Sequence, residues 1–178
     1  MSAEVVAALD EFIYKYLISQ GIPANQLTYK GYGSSYPAFS NKYKTGRANN
    51  RRIEVRILQK RDFGTTNLVD ESAYKEQYKT AKELKFDTKN TLKVNDRIVL
   101  DRLSFAPNSV VISDSLNPDL MQIMRLLTIF NSLEVEVGGY TDNSGIKEKN
   151  DSLSEARALS VFLYLIKKAA ETNSFLVE

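Results

Sequence analysis

The chain has 178 residues, with 24 Lys+Arg against 22 Asp+Glu and a net charge of +2. Its 43% hydrophobic and 26% charged residues suit a folded globular protein, and they exclude collagen, low-complexity disorder and capture by nucleic acid through bulk charge. It contains no Cys and no His, which excludes disulfides, thiolate or imidazole metal sites, cysteine nucleophiles and serine–histidine triads, so binding is the default class.

The first segment has helical periodicity: Val5, Val6, Leu9, Phe12, Ile13, Tyr16 and Leu17 form one apolar stripe, ended by Gly21 and Pro23. The start, MSAEVVAALDEF, lacks the basic region and continuous apolar core of a signal peptide, so an export signal is expected outside this chain. No apolar run reaches the roughly 18 residues that span a bilayer. Leu27–Tyr32 is predicted as a strand, followed by a Gly/Ser/Pro loop and a short helical turn around Lys44–Asn49. Arg52–Leu58 alternates apolar Ile53, Val55 and Ile57 with charged residues, the period of a half-buried strand. Residues 60–95 are polar with scattered apolar side chains and suggest a linker, with some helix near Ala73–Leu84.

Order resumes at Ile98–Phe105, predicted as a strand. Asn117-Pro118 supplies an N-cap and a first-position proline for a helix buried through Leu120, Ile123, Met124 and Leu127. Leu133–Val137 is an alternating strand, and residues 138–145 are expected to form a polar, Gly-bearing loop. Ser152-x-x-Glu155 has the spacing of a capping box that opens a last helix running to about Ala170.

Chemistry concentrates after that strand. Thr141 and Asp142 occupy the loop, and Arg157 lies about one and a half turns beyond the expected cap, near a positive helix N-terminus. An acid and a base facing one pocket suit a zwitterion: Asp142 takes the ammonium, the guanidinium fork takes the carboxylate, and Asn150 adds amide hydrogen bonds. The alternative is a plain salt bridge that fixes the helix on the loop. A second cluster, GRANNRR at 46–52, is basic but lacks the aromatic platforms of single-strand nucleic-acid sites, so nucleic acid is not an expected partner.

These residues resemble a known family. GYTDNSG followed by Asn150, Leu153, Ser154, Arg157 and Ala158 is similar to the OmpA-like peptidoglycan-binding domain, the type found in outer membrane protein A and peptidoglycan-associated lipoprotein. Phe105-x-x-Asn108-Ser109 is similar to the segment before it. YLISQGIPANQLTYKGYGSSYP and GRANNRRIEVRI resemble the second half of the same domain. The likeness covers about 5–58 and 96–170, with the halves in the opposite order, as in a piece cut from a tandem array. The first helix copy places Leu9 opposite Arg157, and Ala106 stands where the family commonly has Asp.

The resemblance implies an α+β fold, a β-α-β-α-β-β two-layer sandwich whose mixed sheet carries helices on one face, assembled from permuted halves. Residues 1–59 would be a second half, 60–95 a linker and 96–178 a first half, closing within one chain or between two in a domain-swapped homodimer. It implies non-covalent binding of peptidoglycan through the diaminopimelate of the stem peptide, in the periplasm beside the outer membrane. Asp142 would hold the ammonium and Arg157 the carboxylate. Asn108 and Asn150 would add hydrogen bonds and Arg51 would close the pocket. No cofactor and no catalysis are implied. The alternative is an envelope interaction module whose peptidoglycan site is incomplete.

Overall fold

The computed structural model describes residues 26–60, 78–81, 92–112, 117–130 and 133–174. The N-terminal helix expectation lies outside them. The elements are β1 (Leu27–Gly33), α1 (Lys44–Asn50), β2 (Ile53–Lys60), β3 (Tyr78–Thr80), β4 (Arg97–Val99), α2 (Pro118–Ile129), β5 (Leu133–Tyr140) and α3 (Lys147–Ser174).

The strands form one mixed sheet in the order β1-β5-β2-β4-β3. β5 runs parallel to β1, with Tyr29 opposite Val137, and antiparallel to β2, with Val55 opposite Val137. β2 and β4 are antiparallel, and β3 lies parallel to β4 at the edge. Strands from residues 27–60 therefore alternate with strands from residues 97–140, and neither part holds a complete sheet alone. Ile53, Val55 and Ile57 of β2, Ile98 of β4 and Leu133, Val135 and Val137 of β5 all enter the core. Leu120, Ile123 and Leu126 of α2 and Ala158, Val161, Phe162 and Leu165 of α3 close it. This is the two-layer α+β arrangement that the family resemblance implies.

Several boundaries differ from expectation. β5 continues through Gly138, Gly139 and Tyr140, which the sequence assigns to a loop. The glycines serve a close approach rather than a turn. A Cβ on Gly139 would collide with the Ser154 carbonyl oxygen, and one on Gly31 would lie 2.6 Å from the Glu155 amide nitrogen. The small residues let α3 lie directly on β1 and β5. α3 itself starts at Lys147, so Ser152 is mid-helix and its hydroxyl donates to the Glu148 carbonyl at 3.0 Å instead of capping. Arg157 accordingly lies well inside the helix, beyond the reach of the N-terminal dipole invoked for it.

β4 ends at Val99 rather than Phe105. Leu100 still donates to the Ile53 carbonyl at 3.0 Å, and the chain then turns away. The fully buried Asp119 of α2 draws it off the sheet by accepting from the Arg102 amide at 2.7 Å and its Nε at 2.6 Å. Within the expected linker, Tyr78–Thr80 form a strand rather than helix, pairing with β4's otherwise open edge. The polar side of β2 also differs from a half-buried strand. Arg52 and Glu54 are 7% and 1% exposed, with Glu54 held by Arg52 at 2.5 Å and Arg97 at 3.3 Å.

Candidate functional site

A cleft of about 600 Å³ opens at the end of the sheet, where the C-terminus of β5 meets the start of β2. All six residues singled out from the sequence line it: Arg51, Asn108, Thr141, Asp142, Asn150 and Arg157. Asp101, Ser104, Phe105, Ser144 and Leu153 share the wall.

The acidic side is built by the loop after β5. Thr141 continues the sheet by donating its amide to the Gly33 carbonyl at 2.8 Å. Its hydroxyl is buried and has no hydrogen-bond partner among the described residues. Asp142 follows, buried at 6% exposure, and its Oδ1 accepts from the Ser144 amide at 2.8 Å in an Asx turn. Its Oδ2 accepts from Arg51 at 2.5 Å. Burial pushes the carboxyl upward, but the Ser144 bond and the Arg51 charge outweigh it and hold the group below its ordinary range. The salt-bridge alternative for Asp142 therefore exists, but with Arg51 rather than Arg157. The Asn150 amide nitrogen donates to the Asp142 carbonyl at 3.3 Å and the Ser144 carbonyl at 2.9 Å. It braces the loop, which leaves the amide oxygen for other partners.

The basic side is built differently. Ala106–Ser109 form a turn, with Ser109 donating to the Ala106 carbonyl at 3.0 Å. Pro107 occupies the second position and Asn108 the third, where φ is 54°, the left-handed conformation that Asn tolerates. Arg157, on α3 and 7% exposed, donates its Nε to the Ser109 carbonyl at 3.0 Å and an Nη to the Ala106 carbonyl at 3.2 Å. Its guanidinium lies 5.1 Å from the Phe105 ring centre. Among the described residues no carboxylate pairs with it. Burial, and after it the nearby Arg51 charge, lower its proton affinity, although an arginine stays charged. Among the described residues, the cleft thus holds a buried cation neutralised only by carbonyl dipoles and a ring face.

The APNS turn signature at 106–109 is legible in the sequence and would have predicted the fixed carbonyl pair. Asp101 carries no comparable signal, because it enters the wall only through the turn after β4.

Residues 104–178 match the model of the OmpA family. This part of the chain is OmpA-like. The match contains Asn108, Thr141, Asp142, Asn150 and Arg157, while Arg51 lies outside it. The chain is also similar to outer membrane protein A of Bordetella avium, 46% identical over 46 residues. That alignment covers 26% of this chain and 24% of the relative, so the chain spans about a quarter of the relative's length. No solved structure matches it. The OmpA-like segment supplies β5, α2, α3 and the turn, residues 27–60 supply Arg51, β1 and β2, and β3 and β4 complete the sheet.

Proposed function

We propose that this chain binds peptidoglycan non-covalently through the diaminopimelate of the stem peptide and ties an envelope protein to the cell wall, in the periplasm beside the outer membrane. OmpA-like domains are generally peptidoglycan-binding parts of envelope proteins and generally not enzymes. The single observation that carries the reading is the pairing, in one cleft, of a buried arginine that no carboxylate among the described residues pairs with and a buried ionised aspartate. A zwitterionic amino-acid end complements that pair: its carboxylate meets Arg157, and its ammonium shares or displaces Arg51 at Asp142. The unpartnered Thr141 hydroxyl and the Asn150 amide oxygen are groups that a polar ligand can satisfy.

Residues 1–59 and 96–178 are on this reading two halves of an OmpA-like domain joined through 60–95. The alternation of their strands in one sheet supports closure within a chain. A domain-swapped homodimer is the alternative, and light scattering separates the two by mass.

Titration calorimetry with a diaminopimelate-containing muropeptide tests the function, with Asp142→Ala beside the wild type. Saturable binding that the substitution weakens by about 2 kcal/mol is expected. A folded wild type that binds nothing refutes the proposal and favours an interaction module with an incomplete site.

A further inference from the structure

The loop between β1 and α1 carries Tyr36, Phe39 and Tyr43, which are 61%, 51% and 60% exposed. Single exposed aromatics need no explanation, but these fall within eight residues of a loop that is held from several sides. The fully buried Asn50 side chain accepts from the Phe39 amide at 2.9 Å and donates to its carbonyl at 2.7 Å. Arg47 donates to the carbonyls of Asn41 at 2.8 Å and Lys42 at 3.2 Å. Arg52 donates to the Tyr36 carbonyl at 3.3 Å. The backbone is thus organised in advance, so contact with the rings costs little ordering entropy.

The loop is also continuous with the cleft. Tyr140, on the cleft wall, stacks on Tyr32 at 4.9 Å between centres, and Tyr32 meets Tyr36 edge-on at 5.5 Å. Arg52 lies 4.0 Å over Tyr140, and Lys30 lies 5.1 Å from the Tyr32 ring. The inner rings are therefore engaged, and Tyr36 is the outward end of the series. An aromatic face carries partial negative charge. The C–H face of a pyranose presents weakly positive hydrogens and is flat enough to stack on it. A stem peptide is attached to amino-sugar rings, so a cleft that holds the peptide has the sugar close by.

We infer that Tyr36, with Phe39 and Tyr43, forms a platform on which the amino-sugar strand stacks while the stem peptide occupies the cleft. The inference rests on the peptidoglycan reading. A lipid surface is the competing occupant, but the aromatic path from the cleft wall to Tyr36 favours the sugar.

Calorimetry on the full chain with two ligands tests it: a disaccharide-bearing muropeptide and the matching free stem peptide. The wild type is expected to bind the muropeptide roughly five- to tenfold more tightly, the scale of one or two aromatic contacts. Tyr36→Ala should remove most of that advantage and leave the free-peptide affinity unchanged, and Tyr36→Trp should retain it. Phe39→Ala/Tyr43→Ala, which leaves the Tyr36 ring in place, should lower the advantage partly. Equal wild-type affinity for both ligands, or equal losses on both in Tyr36→Ala, overturns the platform while the cleft reading stands. Wild-type binding to phosphatidylglycerol vesicles that Tyr36→Ala abolishes, with muropeptide binding intact, overturns it in favour of a membrane surface. If the wild type binds neither ligand, the peptidoglycan reading fails and the platform fails with it.

Discussion

Asp142 and Arg157 stand in the same cleft, and both are more than nine-tenths buried, but their charges are compensated by different means. Asp142 has a counter-charge in Arg51, whose own side chain is 50% exposed. Among the described residues, Arg157 has only the Ala106 and Ser109 carbonyls and the Phe105 ring. A half-exposed ion pair is cheap to open, because water and salt already screen it. A buried cation without an anion gains far more from a ligand carboxylate. Under the proposed binding, the contrast gives affinity mainly to the arginine and orientation mainly to the aspartate.

Replacing Arg157 should therefore have the largest effect. Arg157→Ala is expected to cost about 3 kcal/mol of muropeptide binding in calorimetry, since it strands the ligand carboxylate. The same change should lower the melting temperature by freeing the 106–109 turn. Arg157→Lys should rescue part of the binding, because a lysine brings the charge without the fork. Asp142→Ala should cost about 2 kcal/mol of binding. Equal losses at the two positions would erase the proposed division of labour.

Smaller effects sharpen it. Thr141→Val removes an unpartnered buried hydroxyl, so stability should hold or rise, while ligand affinity falls by about 1 kcal/mol. Lower stability and unchanged affinity would show that the hydroxyl serves the fold. Arg51→Ala should change folding stability by less than about 1 kcal/mol. It should also raise the Asp142 carboxyl pKa, read by NMR titration, because it removes a charge that favours the ionised form. The pH effect should be the least at neutrality. Asp142 is depressed in the folded protein, so its ionised contribution is fully present above the ordinary carboxylate pKa and is lost as pH falls through the lower folded value. Binding should stay flat from neutral pH down to about pH 5 and decline only in stronger acid.

Much of this architecture was legible in local pattern. The alternation of Ile53, Val55 and Ile57 marked β2, and Asn117-Pro118 marked the start of α2, where the Asn117 side chain accepts from the amides of Asp119 and Leu120. The errors share a cause. Gly139 had the local appearance of a loop and Ser152-x-x-Glu155 that of a cap, because neighbouring residues alone show neither that α3 packs on Gly139 nor that α3 already starts at Lys147. Arg52 and Glu54 had the appearance of a solvated face, because the Tyr140 ring and Arg97 that enclose them come from β5 and β4.

What the residue order determines by itself is local: apolar period, caps, turns, and the kinds of charge on each segment, all of which act over a few residues. That the chemistry would gather Asp142 and Arg157 could be proposed from motif spacing. Which base neutralises which acid could not. Arg51 and Asp142 are separated by 91 positions and meet only because β2 lies beside β5 in the sheet. The same pairing leaves Arg157 facing carbonyls. Long-range register, not local preference, decided where the uncompensated charge would be.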